Sequence, residues 1–141
     1  MPKRVSVLLV EDNEIDASIV LGRLKKFEQI SLTWVETRQA CLKHLADHHV
    51  DAVLLDLNLP DGSGEDLIEQ VLAAANCAPV VILTSTDDDQ RALAAVQAGC
   101  QDWLIKGRAD GQLIWRTIAY SMERKVAELA RFEAEEAVRH R

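Results

Sequence analysis

The sequence predicts an α/β domain built on a parallel sheet of five strands, with helices on both faces. Five short apolar runs alternate along the chain with longer segments of helical spacing. The runs contain few polar residues, which is typical of strands buried on both faces. Strict strand–helix alternation implies right-handed crossovers between parallel strands and helices on each side of the sheet.

Length and composition fit one domain, because 141 residues with 48% hydrophobic content can bury a core of ordinary size. The formal charge of −7 argues against a nucleic-acid surface, which needs a basic patch, and suits protein or cation partners. The three cysteines are far apart, as in a reducing compartment. The N-terminal apolar run is too short to span a bilayer. We therefore expect a cytoplasmic protein without membrane insertion.

The first half of the chain provides three strand–helix units. Strands are predicted at residues 5–10, 32–35 and 50–55. The helix after the first strand should bury an apolar face formed by Ile15, Ile19, Val20, Leu24 and Phe27. Thr37 is the expected cap of the second helix. Ser63 followed by Asp66 is a start signal for the third helix, which we expect at residues 64–75.

The second half provides two further units. Strands are predicted at residues 79–83 and 103–105, and a helix at 87–98 that Gly99 terminates. Asp110 is the expected cap of the last helix. The inward face of that helix is predicted to consist of Leu113, Ile114, Thr117 and Ile118.

The last helix is longer than the sheet requires. Helix-compatible sequence runs to Arg141 without Gly or Pro after Gly111, which corresponds to a helix of roughly 48 Å. We therefore divide the chain into a domain at 1–122 and a helical extension at 123–141. The extension carries Val126, Leu129 and Phe132, and we expect it to pair with the same helix of a second chain or with a partner protein. The alternative is a solvated tail or a linker to an output domain.

Chemically active residue types follow four of the predicted strands. Glu11 and Asp12 follow the first strand, Asp56 the third, Thr84 the fourth and Lys106 the fifth. Parallel strands end at the same edge of a sheet, so these side chains should meet. Three clustered carboxylates repel one another unless a cation joins them, and hard oxygen ligands with room for water suit Mg²⁺. An Asp nucleophile with a metal, a Lys and a hydroxyl suits phosphoryl transfer.

Four segments together resemble the receiver domain of bacterial two-component response regulators. They are Leu8–Asn13, Leu54–Gly62, Val81–Ser85 and Ala98–Lys106, and they occur in the order and spacing of that family. The resemblance extends over about residues 4–122. It implies a flavodoxin-like sheet of strand order 2-1-3-4-5.

The resemblance also implies a phosphorelay role for the chain. Asp56 would accept a phosphoryl group from a sensor histidine kinase or a histidine phosphotransfer protein and pass the signal to an output protein that the sequence does not name. Asp12, helped by Glu11, would hold Mg²⁺ together with Asp56, and Asn58 would contribute its backbone carbonyl.

Three further residues take roles from the same resemblance. Lys106 would pair with Asp56 and then with the phosphoryl oxygens, while Thr84 would donate its hydroxyl and move towards the phosphate. Trp103 would be the aromatic switch residue that turns inward when Thr84 moves. A Trp is bulkier than the Tyr or Phe usual there, and an aromatic that merely covers the strand is an equal alternative. Gly107 replaces the usual Pro, so we expect a looser loop without a cis peptide.

Two other functions are compatible with parts of the pattern. One is an interaction scaffold with a receiver fold that is not phosphorylated, against which the complete acidic set argues. The other is a phosphatase of the haloacid dehalogenase type. That class needs a second Asp two residues after the nucleophile, where this chain has Asn58.

Overall fold

The computed structural model describes residues 4–85 and 89–139. The first half contains β1 (Val5–Val10), α1 (Glu14–Leu24), β2 (Ile30–Val35), α2 (Arg38–Asp47), β3 (Ala52–Asp56), the short strands β4 (Asn58–Leu59) and β5 (Gly62–Ser63), and α3 (Gly64–Ala75). The second half contains β6 (Val80–Thr84), α4 (Asp89–Ala98), β7 (Asp102–Ile105) and α5 (Gly111–Arg139). Asp87 and Asp88, predicted to begin α4, lie outside the described residues, as do His140 and Arg141.

Five parallel strands form the sheet in the order β2-β1-β3-β6-β7. This is the predicted order 2-1-3-4-5, because β4 and β5 form a separate antiparallel hairpin. The register places Asp56 beside Leu83 and Thr84 beside Ile105. The carboxyl ends of β1, β3, β6 and β7 therefore lie along one edge of the sheet.

The sheet separates two apolar cores, which explains why its strands are apolar throughout. Alternate residues of a strand point to opposite faces. Leu8 and Leu55 accordingly join the core under α2, α3 and α4, while Leu9 and Leu54 join the core under α1 and α5. Every residue of β3 is buried, and this rigid central strand carries Asp56 at its end.

Helix α1 buries the predicted face only in part: Val20 and Leu24 are buried and Phe27 packs against the core, as predicted. Ala17, Val20 and Leu24 are buried, whereas Ile15 is 72% exposed and Ile19 is 37% exposed. The prediction that the isoleucines face inward is therefore wrong. The small side chain of Ala17 occupies the contact with the sheet, and the larger isoleucines remain on the solvent side.

Helices α2, α3 and α5 each begin directly after the residue predicted to precede them, and Gly99 directly follows α4 as predicted. Thr37 accepts a hydrogen bond from the Ala40 amide, and Asp110 accepts one from the Leu113 amide. Ser63 precedes α3, but its side chain makes no capping bond. The acidic residues Glu65 and Asp66 in the first turn of α3 still complement the helix dipole.

Helix α5 is continuous from Gly111 to Arg139. Its inward residues include Ile114, Thr117 and Ile118, as predicted, but Leu113 is 46% exposed. No helix within residues 4–85 and 89–139 has the length and apolar composition needed to cross a membrane.

The helix keeps contact with the rest of the fold beyond the predicted boundary at residue 123. Arg124 lies 3.4 Å from the Asp102 carboxylate, and Glu128 accepts a hydrogen bond of 3.1 Å from the Gln101 side chain. The boundary itself stays a prediction.

Candidate functional site

The acidic cluster consists of Glu11, Asp12 and Asp56. One carboxylate oxygen from each residue lies within 4.8 Å of one from each of the others. Glu11 and Asp56 are buried, with 1% and 4% exposure, while Asp12 is exposed. The cluster is therefore a recessed pair of carboxylates with a third at the solvent boundary.

Glu11 is fixed by both its backbone and its side chain. Its amide donates to the Val35 carbonyl at 3.0 Å, and its carbonyl accepts from the Trp34 indole at 2.7 Å. Its Oε1 accepts from the Asn13 amide at 3.1 Å. Burial raises the pKa of the Glu11 carboxyl to about 7, although the Lys106 ammonium and the Asn13 amide oppose the increase.

Asp56 stands at the end of β3 with little access to water. Burial raises the pKa of its carboxyl, and the charge of Lys106 opposes that increase. The Asn58 amide donates to Asp56 Oδ1 at 3.3 Å. Its Oδ2 faces the Lys106 ammonium at 3.3 Å. The arrangement places an anionic oxygen at the sheet edge beside a cation.

Lys106 lies among three carboxylates. Its Nζ is 2.8 Å from Glu11 Oε2, 3.3 Å from Asp16 Oδ2 and 3.3 Å from Asp56 Oδ2. Burial alone would lower the pKa of the ammonium, but the carboxylates of Glu11 and Asp56 outweigh burial and raise it. Lys106 is therefore a permanent cation at any physiological pH.

The backbone after Lys106 is braced by α1. Gly107 has a φ of +82°, in the left-handed region that a proline ring cannot adopt. The guanidinium of Arg23 donates to the carbonyls of Gly107 and Ala109. No cis peptide bond occurs among residues 4–85 and 89–139, as expected from the glycine. The loop that we expected to be loose is thus held by two hydrogen bonds.

Thr84 and Trp103 occupy neighbouring strands. Thr84 is 2% exposed at the end of β6, and its hydroxyl donates to the Ser85 carbonyl at 3.1 Å. The Thr84 carbonyl accepts from the Lys106 amide at 2.8 Å, which ties β6 to the lysine. Trp103 on β7 is 40% exposed. The switch roles of these two residues stay predictions.

Asn58 begins the hairpin after Asp56 and contacts α4. Its side-chain oxygen accepts a hydrogen bond of 2.8 Å from Arg91, and Arg91 also donates to the Leu57 carbonyl at 3.1 Å. Arg91 therefore joins α4 to the loop that follows Asp56.

The acidic cluster fits a hard divalent cation. Oxygens of Glu11, Asp12 and Asp56 lie within 4.8 Å of one another, close enough to share one ion. Carboxylate oxygens on a partly open edge are what Mg²⁺ prefers, since it retains waters in its shell. Asp12 provides the exposed oxygen through which an ion would arrive.

Three site residues were not identified from the sequence: Asp16, Trp34 and Arg91. The first turn of α1 lies at the same sheet edge as the end of β1, and this could have identified Asp16. Nothing in the sequence pattern indicated that the Trp34 indole reaches Glu11 or that Arg91 reaches Asn58.

Comparisons with known proteins agree with this architecture. Residues 7–117 match the family model of the response regulator receiver domain. The chain is 32% identical over 115 residues to the swarming motility regulation protein RssB of Serratia marcescens, covering 82% of this chain and 52% of RssB. The chain spans about half the length of the curated relatives it matches.

Two solved structures have the same fold. The receiver domain of an HD domain-containing protein from Pseudomonas fluorescens superposes with a TM-score of 0.79 at 21% identity, covering 93% of this chain and 96% of that one. The receiver domain of a sensor histidine kinase from Pseudomonas aeruginosa, solved with magnesium in its active site cleft, superposes with a TM-score of 0.72 at 22% identity, covering 85% and 98%.

Proposed function

The chain belongs to the response regulator receiver domain family, and on that premise we propose that Asp56 accepts a phosphoryl group from a phosphohistidine. The donor would be a sensor histidine kinase or a histidine phosphotransfer protein. One observation carries the proposal: the buried Asp56 carboxylate faces the Lys106 ammonium at 3.3 Å within the acidic cluster. A scaffold without phosphoryl chemistry has no need to bury such a cluster, since burial of carboxylates is costly.

In the proposed reaction, Asp56 Oδ attacks the phosphorus of the donor. The new O–P bond forms as the P–N bond to the imidazole breaks, and the leaving imidazole takes a proton. Lys106 and the Thr84 hydroxyl stabilise the charge on the transferring oxygens. Thr84 must first release the Ser85 carbonyl, its present acceptor. Later attack of water on the same phosphorus would return the free carboxylate.

We further propose that the acidic cluster holds Mg²⁺ through Asp12 and Asp56, with help from Glu11 and from the Asn58 carbonyl. When bound, the ion supplies positive charge that offsets the phosphoryl oxygens. The burial of Glu11 beside the two other carboxylates of the cluster supports this assignment. The magnesium in the Pseudomonas aeruginosa receiver is consistent with it.

We propose that residues 1–122 form a receiver domain, and that this domain passes its signal to an output protein by direct contact. We place the readout on α4, β7 and α5, where Trp103 would report the movement of Thr84. The acidic net charge of −7 favours protein partners over nucleic acid. We place the chain in the cytoplasm, where its unpaired cysteines would stay reduced.

The extension at 123–141 is proposed to pair with a second copy or with a partner helix. Within its described part, Val126, Phe132 and Val138 are 67%, 61% and 66% exposed. Exposed apolar side chains at this density on a projecting helix favour burial against another helix. Such pairing would give phosphorylation a route to an output.

The test is incubation with a small acyl phosphate and Mg²⁺, followed by intact-mass measurement. Wild type should gain one phosphoryl group, and the isosteric variant Asp56→Asn should gain none. Lys106→Ala should be phosphorylated more slowly than wild type. Phosphorylation of Asp12→Ala should no longer respond to added Mg²⁺. A scaffold would give no adduct, and a phosphatase would consume donor continuously without a lasting adduct. Either of those results in wild type would overturn the proposal.

A further inference from the structure

Lys106 also contacts a carboxylate that lies outside the acidic cluster. The Nζ–Asp16 Oδ2 contact of 3.3 Å has regular hydrogen-bond geometry. Glu11 Oε2 and Asp56 Oδ2 lie 2.8 Å and 3.3 Å from the same nitrogen. Asp16 is thus the lysine's third carboxylate partner, and it does not belong to the candidate metal ligands.

The position of Asp16 follows from how α1 begins. Asn13 caps α1 by accepting from the Asp16 amide at 2.9 Å, and its own amide donates to Glu11 Oε1 at 3.1 Å. This links Glu11 to the first turn of α1. At the other end of the helix, Arg23 holds the carbonyls of Gly107 and Ala109. One helix therefore holds both the side chain of Lys106 and the backbone that follows it.

A bound cation would compete with Lys106 for two of its three carboxylate partners, but not for Asp16. Glu11 and Asp56 serve both Lys106 and the candidate metal site. A divalent ion would occupy oxygens of those carboxylates and repel the ammonium. The lysine stem is flexible, so a side chain without another anchor would turn to solvent. Asp16, with a side-chain exposure of 35%, can keep its contact with Nζ while the cluster is occupied.

We propose that Asp16 is a positioning residue that holds Lys106 beside the phosphoryl acceptor while a metal occupies the acidic cluster. This inference rests on the proposed function. Asp16 touches neither the phosphoryl group nor the metal and acts only through Lys106. Its loss should slow phosphorylation by roughly fivefold, the upper range for an ion pair at a partly exposed site.

A double-mutant cycle measures whether Asp16 acts through Lys106. The rate of phosphorylation by a small acyl phosphate at saturating Mg²⁺ is measured by intact mass for wild type, Asp16→Asn, Lys106→Ala and the double variant. Asp16→Asn should slow wild type and leave Lys106→Ala unchanged. Glu14→Gln is the matched control, since it removes an exposed carboxylate from the same helix turn. It should react at the wild-type rate.

Two kinetic results would overturn the inference. The first is equal slowing by Asp16→Asn with and without Lys106, which would show a general effect of charge. The second is a rate for Asp16→Asn equal to that of wild type. If wild type itself takes no phosphate, the proposed function fails instead.

A second measurement is independent of phosphorylation. The side-chain NMR signal of Lys106, assigned by its loss in Lys106→Ala, is followed as Mg²⁺ is added. In wild type the signal should stay distinct from those of exposed lysines. In Asp16→Asn with Mg²⁺ it should merge with them. A Lys106 signal that stays distinct in Asp16→Asn would overturn the positioning role even if phosphorylation proceeds.

Discussion

Glu11 carries a carboxyl group in a place that water scarcely reaches. Burial raises its pKa to about 7 from an ordinary value of 4.5, and the pKa of Asp56 is raised for the same reason. Between those two pH values the Glu11 carboxyl binds more protons in the folded protein than in the unfolded chain. Without metal, the contribution of Glu11 to the free energy of unfolding should therefore increase as the pH falls from about 8 towards about 5, whereas the lowered pKa of His44 acts in the opposite direction.

Thermal unfolding in the presence of a chelator checks this pH dependence. The raised pKa of Lys106 stabilises the fold across the whole range and weakens only at alkaline pH, so it does not reverse the sign. In Glu11→Gln, which has no carboxyl to titrate, the dependence should be weaker. A metal-free wild type whose stability changes with pH in the same way as that of Glu11→Gln would contradict this prediction.

The sequence identified those site residues whose positions are determined by the strand order alone. Asp56, Thr84 and Lys106 end parallel strands, so their meeting follows from strand order. Asp16 and Arg91 reach the site from helices. Their positions depend on helix rotation and side-chain length, which hydrophobic spacing does not specify.

Helix α1 shows the same limit for a whole element. The spacing correctly placed Val20 and Leu24 inward, but it also placed Ile15 and Ile19 there and missed the buried Ala17. Helices α1 and α5 approach so closely that a Cβ on Gly111 would overlap the Arg23 carbonyl oxygen. A glycine in the first turn of α5 is thus a packing requirement that periodicity does not reveal.

The close approach predicts the effect of Gly111→Ala. The added methyl group must displace α1 backbone, and such overpacking costs about 2 kcal/mol of unfolding free energy. Gly22→Ala is the matched control, because a Cβ there meets nothing within 4 Å. It should be neutral or slightly stabilising, since Ala favours a helix interior. Urea unfolding of both variants checks this, and equal stability would refute the packing argument.

The projecting part of α5 makes a prediction about association. We consider two copies that pair through the apolar residues of the extension, among them Val126. Sedimentation should then show a dimer for the full chain and a monomer for Val126→Lys. Ile15→Lys, at a site of similar exposure on α1, is the control and should remain dimeric. A full chain that is monomeric with and without phosphodonor would exclude the homodimer and leave the partner helix.

For the whole molecule, the strand order and the edge that carries the site were predictable because alternation, burial and handedness all restrict the same topology. The length of α5 was also predictable, since it depends on the lack of Gly and Pro. Contacts such as Arg124 with Asp102, which hold the helix beyond the sheet, depend on three-dimensional proximity and were not.

Asp56 is the carboxylate that we expect to become phosphorylated. Borohydride reduces an acyl phosphate to an alcohol, so reduction after treatment with donor and Mg²⁺ marks the phosphorylated residue in peptide mass spectra. We expect the mark at Asp56 and nowhere else, with none when Mg²⁺ is withheld by a chelator. A mark on Asp12 or Glu11, or an unmarked chain under conditions in which Mg²⁺ binds, would contradict it.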